Sequence, residues 1–148
     1  ALQVDRWRAE LPASSGPVLR VAVVRFPRIS NATDVEALAH TPGVDVLVTD
    51  DPARARDADL LVLPGSRSTV SDLAWLRSRG LDQVVAERHA AGRPVLGICG
   101  GYQMLADTIA DDVESGAGHV SGLGVLPVKV RFETAKTTTQ TTLQWRGQ

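Results

Sequence analysis

Apolar residues in this chain come in short continuous runs separated by polar, glycine- and proline-rich joints. Val18 to Phe26, Val44 to Val48, Leu60 to Leu63 and Pro94 to Ile98 are each of strand length, broken only by Arg20, Arg25 and Asp45. Near-continuous apolar runs of this kind mark strands covered on both faces. Between them the spacing turns helical. It predicts a short helix capped by Asn31 or Thr33 and ending near His40, a helical turn in Ala53 to Ala58, and helices over Thr69 to Ser78 and about Leu81 to Ala91. Thr41-Pro42-Gly43, Gly80 and Gly92 stop three of them. A further helix is predicted from about Gly101 to Ile109, a loop over Val113 to Gly122, and a strand over Leu123 to Phe132 with a break at Pro127. Strands alternating with helices predict an α/β fold, a doubly wound, mostly parallel sheet with helices on both faces.

At 148 residues the chain is one domain in size, long enough for a hydrophobic core. Residues 1 to 17 include the breaker-rich stretch Pro12-Ala13-Ser14-Ser15-Gly16-Pro17 and read as a linker or tail, leaving 18 to 148 as the folded part. Net charge is −1 and no basic face stands out, which argues against nucleic acid or an anionic membrane as partner. No apolar run is long enough to span a bilayer, and Asp5, Arg6, Arg8 and Glu10 interrupt the start where a signal peptide would lie. A single cysteine excludes an internal disulfide framework, and a cytoplasmic location suits a free thiol.

That cysteine changes the picture. In Pro94-Val95-Leu96-Gly97-Ile98-Cys99-Gly100-Gly101-Tyr102-Gln103-Met104-Leu105 a strand enters, a glycine-flanked turn holds Cys99, and an apolar helix leaves. This is the G-x-C-x-G form of the nucleophile elbow. Small neighbours let the strained turn close, and the free N–H groups at the helix start favour the reactive thiolate. The N–H of Gly100 would face the oxygen of a carbonyl attacked by Cys99, half of an oxyanion hole. An isolated cysteine elsewhere reads as a small buried hydrophobe; the flanking glycines, strand and helix point instead to a thiol-dependent hydrolase or transferase.

A second element lies at Leu63-Pro64-Gly65-Ser66-Arg67-Ser68-Thr69, where a buried strand runs into a permissive turn. Ligands of open α/β sheets bind at such carboxyl ends. Gly65 supplies the second oxyanion N–H, or the segment is an ordinary turn with Ser68 or Thr69 as N-cap.

These phrases together resemble a known family. Gly97-Ile98-Cys99-Gly100-Gly101-Tyr102-Gln103 is similar to the nucleophile motif of class I, triad-type glutamine amidotransferases. Arg25-Phe26-Pro27-Arg28-Ile29-Ser30-Asn31, the Pro64-Gly65-Ser66 phrase, Asp72-Leu73-Ala74-Trp75-Leu76-Arg77 and Lys136-Thr137-Thr138 narrow the resemblance to the C-terminal half of the cobyric acid synthase family, from about residue 18 to about residue 142. The resemblance implies a flavodoxin-like fold. It also implies hydrolysis of glutamine through a thioester on Cys99, with Gly100 and Gly65 as oxyanion donors and Gln103 and Ser66 holding the glutamine. Ammonia would pass to an N-terminal ATP-dependent synthetase domain that amidates corrin carboxylates in cobalamin synthesis. No cofactor or metal is expected in this domain; ATP and Mg belong to the synthetase partner. The linker before residue 18 matches such an arrangement.

The resemblance also implies a catalytic histidine in a later segment, beyond the last residue here, Gln148, so the fold is expected to be incomplete at its C-terminus. His40 at a helix end, His89 on a helix and His119 in a glycine-rich loop all have plain structural readings. Arg25, Arg28 and Asn31 form either a solvated rim with a helix cap or a surface toward the partner or the glutamine carboxylate. Asp111 and Asp112 lack the companions a metal site needs. Two other readings stay open: a glutaminase serving another acceptor, such as a cell-wall precursor or cobyrinic acid in a,c-diamide synthesis, and a non-catalytic docking domain of the same fold.

Overall fold

A computed structural model describes residues 17–30, 32–135 and 138–142. The expected linker up to Gly16, the Asn31 cap and Lys136-Thr137 lie outside the described residues.

Four strands form a parallel sheet: β1 (Leu19–Val24), β2 (Val44–Thr49), β3 (Leu60–Leu63) and β4 (Val95–Gly97), in the order β2-β1-β3-β4. Helix α1 (Ala32–Ala39) joins β1 to β2, α2 (Pro52–Asp57) joins β2 to β3, and α3 (Thr69–Ser78) with α4 (Leu81–Ala90) joins β3 to β4. The first crossover moves one way along the sheet and the later ones move back, so right-handed connections place α1 on one face and α2 to α4 on the other. The core divides accordingly. Val21, Val23, Val35 and Val62 pack on the α1 side. Ala22, Val24, Leu61, Leu63, Leu73, Leu76, Leu81 and Val84 pack on the opposite side. Alternate residues of one strand serve opposite faces, which is why the runs are continuous rather than alternating. Phe26 and Trp75 close the larger core edge-to-face, 6.1 Å between ring centres.

The chain after Cys99 departs from expectation. The helix predicted to Ile109 is only α5 (Gly100–Met104), and β5 (Ala106–Asp111) follows at once. It pairs antiparallel with β6 (Gly118–Ser121), inside the expected loop, and parallel with β7 (Leu126–Arg131). The helical spacing of Leu105 and Ile109 is overridden because Thr108 and Ile109 find cross-strand partners in Ser121 and Val120. Pro127 does not end β7. It sits where the β5–β7 register slips by one residue between Ala106 and Thr108, a bulge that spares it a ladder hydrogen bond.

Arginines lock the amino-terminal end of the main sheet. Arg88 on α4 is 1% exposed and donates to the carbonyls of Ala58 (2.8 Å), Asp59 (2.9 Å) and Pro94 (2.9 Å), with longer contacts to Ala55 and Arg56. Arg93 reaches the Arg56 and Ala58 carbonyls as well. The last carbonyls of α2, orphaned where its ladder stops, are thereby capped by guanidinium groups.

Asp59, just before β3, accepts from the Arg20 backbone N–H (2.8 Å), Nε (3.2 Å) and Nη2 (3.0 Å). Hydrogen bonds from the Arg20 side chain and backbone hold its pKa at about 2, below the usual 3.8. A depressed carboxylate stabilises the fold above its unfolded pKa, and that contribution disappears as pH falls from about 4 through about 2. A side-chain NMR titration is expected to find the Asp59 midpoint near 2, rising part of the way toward 3.8 in Arg20→Ala, where the backbone donor remains. A midpoint near 4 in the unmodified protein would contradict the clamp.

Candidate active site

At the carboxyl ends of the strands three loops converge, each for a reason legible in its residues. The chain reverses its direction of travel between β1 and β3, and the loops leaving those strands open the crevice typical of such a switch point. The loops meet there through an isolated bridge between Ile29 and Ser66. The Ser30 N–H donates to the Gly65 carbonyl (2.8 Å) and the Arg67 N–H to the Arg28 carbonyl (2.9 Å). The third loop is the β4–α5 turn carrying Cys99.

Cys99 has φ +50° and ψ −112°, and is the one non-glycine residue with positive φ among the described residues. A side chain adopts that region only when the surroundings force it. Here the forcing is close packing. A Cβ on Gly97 would lie 2.6 Å from the Tyr102 Cα, and one on Gly101 would lie 2.5 Å from the Leu63 carbonyl carbon. The start of α5 therefore lies directly on β3 and β4, and the Cys99 turn takes up the strain. The thiol stands exposed at the helix start.

The predicted site residues gather around it. A Cβ built on Gly65 would be 3.8 Å from the Cys99 Cβ, so the Pro64-Gly65-Ser66 backbone borders the thiol. Gly100 packs on Ser66, whose nitrogen would be 2.9 Å from a Gly100 Cβ. Gln103 lies on α5, half-buried, its carboxamide oxygen accepting from the Thr69 hydroxyl (3.1 Å); its NH2 is left to donate. The Ser66 hydroxyl donates to Asp72 (2.6 Å) and accepts the Ser68 N–H (2.9 Å), keeping one lone pair. Ser68 is the N-cap of α3, yet its own hydroxyl makes no capping bond.

Thr69 and Asp72 are the supporting residues the sequence reading overlooked. From the sequence Thr69 reads only as a cap. Asp72 opened a family phrase whose signal was present but without an assigned role.

Other candidates lie elsewhere. His40 and His89 are at the C-terminal ends of α1 and α4, which lead into the starts of β2 and β4, so both sit at the opposite end of the sheet from Cys99. His40 contacts the Glu36 carbonyl through Nδ1 (2.8 Å). His119 is exposed on β6 opposite Ala110. Among the described residues the Cys99 sulfur has no hydrogen-bonded base. Arg25 joins Arg79 in pairing with Asp50 (2.8 and 3.5 Å). Asp111 is occupied by a turn: it accepts from the Val113, Glu114 and Ser115 N–H groups and the Ser115 hydroxyl. Burial alone would raise its pKa, but the Ser115 hydroxyl and these N–H groups outweigh burial and hold it below the usual value. No group of three or more His, Cys, Asp or Glu able to hold a metal occurs among the described residues. Nor is any helix among them long and apolar enough to cross a membrane.

Known proteins resemble this chain over most of its length. Residues 20–147 match the model of the CobB/CobQ-like glutamine amidotransferase domain. A cobyric acid synthase of Cutibacterium acnes is 59% identical over 150 residues, covering 99% of this chain and 31% of that protein. Those of Frankia casuarinae and Mycolicibacterium paratuberculosis are 62% and 61% identical over 119 residues, covering 80% of this chain and 23% and 24% of theirs. The chain thus spans 23% to 31% of the length of these relatives. Among solved structures, a protein described as a peptidase E from Listeria monocytogenes shares the fold, with a TM-score of 0.59 at 17% identity, over 77% of this chain and 66% of that one.

Proposed function

The chain belongs to the CobB/CobQ-like glutamine amidotransferase domain family, and on that premise we propose that it hydrolyses glutamine through a thioester on Cys99. The observation that carries this reading is the positive φ of Cys99 on a packed elbow beside Gly65. A strained turn holding an exposed thiol has an evident use only if the thiol reacts.

In the proposed reaction the Cys99 thiolate attacks the side-chain amide carbon of glutamine. The developing oxyanion is held by the N–H groups of Gly100 and Gly65. Collapse of the intermediate breaks the C–N bond, and the nitrogen leaves as ammonia with the proton that the base took from the thiol. Water then attacks the γ-glutamyl thioester, releasing glutamate and restoring the thiol. The Gln103 NH2 and the remaining Ser66 lone pair orient the substrate. The base is a histidine contributed by another part of the full-length protein. There a synthetase domain with ATP and Mg receives the ammonia and amidates corrin carboxylates in cobalamin biosynthesis. The close kinship with cobyric acid synthases supports that acceptor over a cell-wall precursor or the a,c-diamide reaction.

A non-catalytic docking role is the competing reading, favoured by the distance of His40 and His89 from the thiol end of the sheet. Glutamine-dependent ammonia release by the full-length protein separates the two. We expect release that falls about 1,000-fold or more in Cys99→Ser. A folded full-length protein that releases none would establish the docking role instead.

A further inference from the structure

Asp72 is fully buried, carries an ionisable carboxyl, and takes no part in the chemistry above. One of its oxygens accepts from the Ser66 hydroxyl at 2.6 Å; the other, Oδ1, is buried with no hydrogen-bond partner among the described residues. A half-satisfied buried carboxylate costs stability, so its place needs a reason. A helix-end charge would be the simple one, since Asp72 lies in the first turn of α3. That reason does not account for where the satisfied oxygen points. The carboxylate reaches out of its own helix to Ser66, six residues back in the turn bordering Cys99.

Ser66 is the pivot of that turn. Its hydroxyl, fixed by Asp72, accepts the Ser68 N–H at 2.9 Å. Its backbone is pinned between the Ile29 bridge and the Gly100 Cα. Gly65, one residue earlier, stands beside the Cys99 Cβ with its carbonyl turned to the Ser30 N–H. The Gly65 carbonyl shares a rigid plane with the Ser66 N–H, and the Gly65 N–H, in the preceding Pro64-Gly65 plane, is joined to it through the Gly65 Cα. Whatever fixes the Gly65-Ser66 peptide therefore narrows the directions open to the donor that borders the thiol. A hydroxyl alone rotates freely; a charge-assisted bond at 2.6 Å holds it in one rotamer.

We propose that Asp72 is a positioning residue of the glutaminase site. By holding the Ser66 hydroxyl it fixes the Pro64-Gly65-Ser66 turn as the second wall of the oxyanion pocket. The inference rests on the glutaminase reading. It assigns Asp72 no contact with glutamine and no proton transfer.

The test is a double-mutant cycle on the full-length protein. Asp72→Ala is expected to lower kcat for glutamine hydrolysis about 10-fold or more, with KM for glutamine moved less than about 3-fold, because the loss falls on the transition state. Ser66→Ala, which also removes the lone pair offered to glutamine, is expected to lower kcat at least as much and to raise KM as well. The double variant should have a kcat no lower than that of Ser66→Ala alone, because Asp72 acts only through the Ser66 hydroxyl. Asp72→Asn keeps the shape and an acceptor oxygen, and should recover most of the rate. Multiplying effects of the two substitutions would overturn the proposal, as would a raised KM at unchanged kcat. So would a lowered melting temperature with kinetics intact. If Asp72→Ala fails to fold, Ser66→Ala and Asp72→Asn decide alone: a full rate in Ser66→Ala, or no gain from the asparagine over the alanine at position 66, overturns it. An unmodified protein that does not hydrolyse glutamine removes the reading itself. An active one insensitive to these changes removes only the role of Asp72.

Discussion

Gly101→Ala is expected to abolish glutamine hydrolysis, with a loss of about 100-fold or more in kcat/KM. The added methyl would fall inside the van der Waals surface of the Leu63 carbonyl oxygen, 2.5 Å from its carbon and 2.8 Å from the Pro64 carbonyl oxygen. All three atoms are backbone of the central strand β3 and of the turn that borders Cys99, so no rotamer change relieves the clash. The start of α5 must lift away from β3 by about 1 Å, and displacements of that size cost about 100-fold in a positioned reaction. Gly92→Ala is the control. Gly92 has positive φ but open space around it, so it costs only backbone strain of about 1 kcal/mol and leaves hydrolysis unchanged. Steady-state kinetics with a thermal melt would check both, and wild-type rates in Gly101→Ala would refute the packing argument.

The second large effect concerns folding. Arg88→Met should destabilise the domain by about 3 kcal/mol or more, which for this size lowers the melting temperature by about 10 °C. The methionine fills much of the same volume but removes the guanidinium donors of the Asp59 and Pro94 carbonyls, the latter keeping only the longer bond from the Leu61 N–H at 3.3 Å. Burial pulls the Arg88 pKa below the usual guanidinium range, with Arg93 adding to the shift and Asp59 opposing it. A guanidinium still ionises under such pressure; an ammonium is a single point that cannot reach carbonyls on two sides. Arg88→Lys should therefore regain less than half of the loss. Urea unfolding followed by circular dichroism measures both, and a loss under 1 kcal/mol for methionine would show that Arg93 caps α2 unaided.

Most of this architecture was legible because its strands are buried on both faces. Leu60 to Leu63 and Thr69 to Ser78 emerge with the predicted limits, since apolar runs and breakers there leave a single arrangement. The elbow was legible for a different reason: only small residues tolerate the contacts at Gly97 and Gly101. Sequence failed beyond Met104, where Leu105 and Ile109 suit a helix and a strand equally and only the distant Val120 and Val130 decide. It also failed for Asp72 and Arg88. Hydrogen bonds that span six residues or thirty leave no local periodicity to read.

The lone cysteine carries a further consequence. An exposed sulfur is open to peroxide, which converts a thiolate first to sulfenic acid. Many redox-sensitive proteins stop there by closing a disulfide with a neighbouring thiol, and this chain has no second cysteine with which to do so. Small thiols from its surroundings can cap the sulfur reversibly. Where they are scarce, the oxidation runs on to sulfinic acid, and the same exposure that opens the sulfur to substrate makes it a one-way casualty of oxidative stress.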